Sequence, residues 1–135
     1  WSTKRVRWGA ATIRVTRKFR IADRLGQLWK EVPPELARYF ERPGGGFAWR
    51  TIAGSTALSF HSFGAAVDIN VSMSDYWQWG AKNTPISYKN RIPLEVAALF
   101  EKHGFIWGGR WHHYDTMHFE YRPELLAYAR ALRQE

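Results

Sequence analysis

Residues 65–71, Ala-Ala-Val-Asp-Ile-Asn-Val, constrain this chain more than any other stretch. Their alternation reads as a β-strand with Ala65, Val67, Ile69 and Val71 on one face and Ala66, Asp68 and Asn70 on the other. An aspartate in mid-strand between Val and Ile is costly to bury unless it is paired or binds a metal. Any fold must therefore bring a partner to Asp68. His61 stands seven residues upstream, across Gly64, and can fold back toward it.

A second stretch supplies further polar groups with the same parity. In residues 117–121, Met117, Phe119 and Tyr121 share one strand face, and His118 and Glu120 share the other. Asp115 precedes His118 by three residues, inside a turn, and so can approach the same centre. Imidazole nitrogen and carboxylate oxygen are both good Zn²⁺ ligands, and three protein ligands leave a fourth position open for water. Zinc lowers the pKa of bound water to about 7, and a carboxylate within reach can then take its proton. Asn70 and Glu120 fall on the ligand-bearing faces, so one of them is expected to hydrogen-bond a ligand from outside.

The rest of the chain supports a small mixed fold. Residues 12–17 alternate as a half-exposed strand. Ile21, Leu25, Leu28, Trp29 and Val32 form a helical stripe that Pro33-Pro34 ends, and Pro34 opens a short helix with Leu36, Tyr39 and Phe40. Residues 43–46, Pro-Gly-Gly-Gly, read as a linker, and 47–52 as a strand. Residues 72–91 read as a long loop with one helical turn, the kind of loop that is usually functional. A helix starts at Pro93 and stops at Gly104, short strands follow at 105–107 and 117–121, and Pro123 opens a last helix with Leu125, Tyr128, Ala129 and Leu132. This order predicts an α+β class with a small, mostly antiparallel sheet flanked by helices. The 135 residues fit one domain, with residues 1–11 readable as an N-terminal extension.

Composition narrows the chemistry. There is no cysteine, which excludes disulfides, thiolate metal sites and a cysteine nucleophile. The formal charge of +8 favours anionic partners. No apolar run reaches membrane-spanning length. The chain opens without Met, which reads as a processed or trimmed form from which any signal peptide would already be gone. His-Glu-x-x-His, Gly-x-Ser-x-Gly, Ser-x-x-Lys and P-loop motifs are all missing.

Residues 59–68, Ser-Phe-His-Ser-Phe-Gly-Ala-Ala-Val-Asp, match all six fixed positions of the motif S-x-H-x-x-G-x-A-x-D. Residues 115–119, Asp-Thr-Met-His-Phe, match an acid, two residues, a His and an aromatic, and Arg50 stands upstream. In these motifs the chain resembles the zinc D,D-carboxypeptidase and L-alanyl-D-glutamate endopeptidase family, which shares its fold with the Hedgehog signalling domain. The resemblance implies one Zn²⁺ on His61, Asp68 and His118, with Asp115 as general base and then acid. It also implies that Arg50 stabilises the oxyanion or a substrate carboxylate, and that Ser59 touches the substrate. The implied substrate is the peptidoglycan stem peptide, cut in the periplasm or outside the cell by a monomer.

The acid is Asp115 where vancomycin-resistance dipeptidases of the family carry Glu. With residues 107–109, Trp-Gly-Gly, before it, this favours the L-alanyl-D-glutamate endopeptidase branch over D-alanyl-D-alanine carboxypeptidase. A zinc-containing wall-binding module without turnover is a third reading, and the intact Asp115 argues against it. Nucleic-acid binding ranks last. His112 and His113 read as surface or rim residues, because a fourth protein ligand would close the open position. His103, before Gly104, suits a helix C-terminus and no catalytic role.

Overall fold

The computed structural model describes residues 2–82 and 84–134. Among the described residues, two antiparallel sheets and three α-helices make up the α+β fold expected from the order of periodic segments. β1 (Thr3–Trp8) and β2 (Ala11–Thr16) form a hairpin around Gly9, whose φ of +59° suits the tight turn. Period-two alternation sends Val6, Trp8, Ile13 and Val15 inward. Of the stretch read as an N-terminal extension, residue 1 lies outside the described residues, and Val6 and Trp8 belong to the core: Trp8 is 1% exposed and donates its indole N–H to the Phe40 carbonyl at 2.9 Å.

α1 (Ile21–Glu31) follows its stripe, burying Ile21, Ala22, Leu25 and Leu28 beside the hairpin. The segment after Pro33 is a 3-10 helix, Pro34–Tyr39. The second sheet has the order β3-β4-β6-β5, all antiparallel: β3 (Pro43–Gly45), β4 (Ala66–Asn70), β5 (Phe105–Trp107) and β6 (His118–Tyr121). α2 (Leu94–Lys102) inserts Phe100 between sheet and hairpin, stacked on Phe119 at 3.7 Å and on Phe40 at 5.9 Å. α3 (Pro123–Leu132) closes the chain with Leu125, Tyr128 and Leu132 exposed rather than buried.

Two expectations are corrected around residue 46. Residues 47–52 are not a regular strand. They carry exposed Trp49 and Ile52, a single bridge from Thr51 to Leu58, and carbonyls at Ala48 and Arg50 that accept from the Ser62 hydroxyl. The Pro-Gly-Gly run before them is β3 rather than a linker. Its glycines are needed for close approach: a Cβ on Gly44 would sit 2.9 Å from the Asp68 Cβ, and one on Gly46 would sit 2.1 Å from the Arg14 carbonyl oxygen. Only chains without side chains pass so near a neighbouring backbone.

Residues 72–82 and 84–91 belong to a long connection with 3-10 turns at Val71–Met73 and Trp77–Trp79; residue 83, within the loop read from the sequence, lies outside the described residues. Arg91 cross-ties it, reaching Asp75 at 3.2 Å, the Ser72 carbonyl at 3.2 Å and the Ser74 carbonyl. Among the described residues no helix is long and apolar enough to cross a membrane.

Candidate metal centre

Strand register assembles the site. Asp68 on β4 lies directly opposite His118 on β6, and Val67 lies opposite Phe119. One face of the pair therefore carries the acid and the imidazole, while the other packs into the core. His61 arrives from a 3-10 turn, Phe60–Phe63, that precedes β4. Ser59 caps that turn by accepting the His61 backbone N–H at 3.3 Å, and Gly64 ends it at φ +68°.

Three ligand-type atoms meet there. His61 Nε2 and His118 Nδ1 each lie 3.1 Å from Asp68 Oδ1, and 3.2 Å from one another. Among the described residues these three side chains form the group able to hold a metal ion. The outer hydrogen bonds decide the tautomers. His61 Nδ1 sits 2.6 Å from the Gly46 carbonyl, which can only accept, so Nδ1 carries the hydrogen and Nε2 presents a lone pair. His118 Nε2 sits 3.1 Å from Glu120 Oε2, which leaves the His118 Nδ1 lone pair facing inward. Two nitrogen lone pairs and a carboxylate oxygen crowded into one buried triangle repel unless a cation lies among them. Proton or metal, the centre is built for positive charge.

The ionisation of the metal-free chain says the same. Burial alone would raise Asp68, yet hydrogen bonds from His118 and His61 and their charges hold it well below the ordinary carboxylate range. Burial alone would lower His118, but its bonds to Asp68 and Glu120, with the charges of Asp68 and Asp115, raise it to about 9.

Asp115 stands beside the centre. Its backbone N–H donates to the Gly108 carbonyl at 3.0 Å, and its carbonyl accepts the His118 N–H at 3.2 Å. A Cβ on Gly108 would lie 2.6 Å from the Asp115 carbonyl oxygen, so glycine is needed beneath the turn. Thr116 locks the turn from the other side through Asp75, at 2.7 and 2.9 Å. Asp115 Oδ1 is buried without a hydrogen-bond partner among the described residues. Burial raises its carboxyl to about 6; the His118 and His61 charges oppose this and that of Asp68 adds to it. Arg50 reaches in from the open side, half-exposed, with Nη2 3.8 Å from Asp68 Oδ2.

The structure thus brings His61, Asp68, His118, Asp115 and Arg50 to one place. Ser59 is nearby but 5% exposed, its hydroxyl committed to the turn that carries His61. His112 and His113 are exposed, with His113 against Trp77 at 4.3 Å. His103 lies by Glu31, 3.3 Å away, at the end of α2. Of the two residues considered for an outer hydrogen bond, Glu120 makes it; Asn70 instead bonds the Arg38 carbonyl and Ser72. Sequence reasoning missed Gly46, whose carbonyl orients His61, and Tyr76, whose backbone bridges to Asp115. Burial raises the Tyr76 phenol, and the Asp115 charge adds to this while Arg50 opposes it. No local motif marks either residue; both act through positions far away in the chain.

A family model described as D-alanyl-D-alanine carboxypeptidase matches residues 53–121, about half of the chain. That span holds His61, Asp68, Asp115 and His118, and leaves out Arg50. Comparison with curated proteins and with solved structures returns no match.

Proposed function

The chain belongs to the D-alanyl-D-alanine carboxypeptidase family of peptidoglycan peptidases, and on that premise we propose that it is a zinc-dependent hydrolase of peptidoglycan stem peptides. The observation that carries the reading is the buried triangle of His61 Nε2, His118 Nδ1 and Asp68 Oδ1, with sides of 3.1, 3.1 and 3.2 Å. Ligand bonds of 2.0–2.1 Å in tetrahedral zinc imply ligand–ligand edges of about 3.3 Å, close to those sides. The donor set of two imidazoles and a carboxylate, each imidazole oriented by an outer acceptor, suits zinc better than a hard oxygen-seeking cation.

Bound there, zinc supplies Lewis acidity, polarising a carbonyl and making water acidic near neutral pH. The chain supplies the rest. Asp115, with a buried and unpartnered oxygen, accepts the proton of the attacking water and returns it to the leaving amine. In the metal-free chain burial raises that carboxyl to about 6, and the charge of a bound cation opposes the rise. Arg50, exposed on one side and near Asp68 on the other, stabilises charge on the substrate oxygen or holds a substrate carboxylate. Ser59 acts through the turn that presents His61.

For the bond cut, the shorter acid at 115 favours L-alanyl-D-glutamate endopeptidase action. The description of the matching family favours the D-alanyl-D-alanine bond as the second reading. Such a substrate sets the site of action in the periplasm or cell wall. Digestion of purified muropeptides, followed by mass spectrometry, tests the proposal, with Asp115→Ala as the control. Release of L-Ala-linked fragments supports the endopeptidase, and release of D-Ala supports the carboxypeptidase. No product under zinc-replete conditions refutes both.

A further inference from the structure

The charge of this chain is concentrated at one end. Seven of its 20 Lys and Arg residues lie in the first 20 positions, which contain no Asp or Glu. The other 13 are nearly balanced by the 12 acids. Almost the whole net charge therefore sits on the β1–β2 hairpin and the turn after it.

The register arranges that charge on one face. Arg5 stands directly opposite Arg14, and Arg7 opposite Thr12, all four exposed. Thr3 shares the same face, and Arg17 Nε binds its carbonyl at 3.2 Å. Lys4 points to the other side of β1 and meets Asp23 at 3.7 Å. Among the described residues, no carboxylate pairs with Arg5, Arg7 or Arg14. Like charges placed opposite one another across a sheet destabilise it. A hairpin that keeps them suits a binding surface for anions.

The face is also fixed relative to the metal centre. The Phe47 N–H donates to the Arg14 carbonyl at 2.6 Å, and the Arg14 guanidinium lies 5.3 Å over the Phe47 ring. Phe47 follows Gly46, whose carbonyl orients His61. The arginine face and the site thus share one frame.

We propose that the outer face of the hairpin, through Arg5, Arg7 and Arg14, docks a phosphodiester polymer attached to the cell wall. The choice of polymer rests on the peptidase reading, which sets the substrate in the wall. Arginine forks match phosphate oxygens, and repeating phosphates match side chains repeating along a strand. Among the described residues, the face carries no exposed aromatic ring for stacking bases and no exposed apolar side chain for entering a lipid layer.

The test is co-sedimentation of the full chain with purified walls, either intact or stripped of phosphodiester polymer with hydrofluoric acid. It is run from 50 to 200 mM salt, alongside anionic phospholipid vesicles and a 20-base-pair DNA duplex. Intact walls should bind at least tenfold more tightly than stripped ones, with affinity falling steeply as salt rises. R5Q/R7Q should bind intact walls like stripped ones and lower the salt slope by roughly 1.5, about 0.7–0.9 per phosphate contact. The variant should melt no earlier than the parent, since it removes the Arg5–Arg14 repulsion. The salt titration of the parent chain tests the proposal independently of the variant. Equal binding to stripped walls, or tighter binding to vesicles or duplex than to walls at the same salt, overturns it. Sedimentation needs no turnover, so a chain that docks but leaves soluble muropeptide uncut contradicts the peptidase reading alone.

Discussion

Glu120→Gln tests how the centre is held. Glu120 is 8% exposed, and its Oε2 accepts the His118 Nε2–H at 3.1 Å. Its other oxygen lies 3.4 Å from Arg122 Nη1, and Arg122 is also paired with Glu124. Gln keeps the volume and loses the charge. A hydrogen bond to a charged group contributes about 1.5–3 kcal/mol against roughly 1 for a neutral one. The loss of about 0.5–2 kcal/mol, at 1.4 kcal/mol per factor of ten, weakens zinc binding roughly 2- to 30-fold. That overlaps the 10–100-fold range typical of partners outside the ligand shell. The assay is competition with a chromophoric chelator at fixed pH. Thermal melting of the metal-free variant accompanies it, because a general loosening of the fold would lower both. Zinc affinity within twofold of the parent would refute the argument that Glu120 sets the His118 tautomer.

Three further outcomes follow from the same geometry. Arg50→Ala should lower kcat/KM on muropeptides by about 10²–10³-fold while leaving bound zinc near the parental level, because Arg50 is not a ligand; a matching loss of metal would contradict that division. Gly46→Ala drives a Cβ to within 2.1 Å of the Arg14 carbonyl oxygen, so it should destabilise by at least about 1–3 kcal/mol and weaken metal binding through His61. An unchanged melting temperature would refute the close-approach argument. In the metal-free chain His118 is raised to about 9, so its proton is held at pH 7.5 and must leave when a metal takes Nδ1. Calorimetry in buffers of different ionisation enthalpy should give, at pH 7.5, about one proton per ion beyond the one lost by metal-bound water, and that excess should vanish above pH 10; no excess at pH 7.5 would refute it.

The centre was legible in the sequence because strand parity is unforgiving. Asp68 among apolar neighbours and His118 between Met117 and Phe119 had to share the polar face once β4 and β6 paired. Helices with clear stripes and proline or glycine boundaries, such as α1 and α2, were legible for the same reason. What escaped depends on contacts between distant segments. The glycine run at 44–46 resembles a linker until Arg14, Asp68 and Val71 are seen pressed against it. Residues 47–52 carry β-forming side chains, but among the described residues they form scattered backbone bonds, such as that of Phe47 to Arg14, and the Thr51–Leu58 bridge rather than a ladder, and the Ser62 hydroxyl bonds the Ala48 and Arg50 carbonyls. Residues 1–11 read as an N-terminal extension because Lys4, Arg5 and Arg7 mask the inward alternation of Val6 and Trp8.

Metal content measured by mass spectrometry on the purified chain, beside His61→Ala/His118→Ala, bears most directly on the whole account. One zinc per chain in the parent and almost none in the double variant, with muropeptide cleavage lost in parallel, is the expected result. A parent that binds no zinc, or a variant that keeps both metal and cleavage, would contradict it.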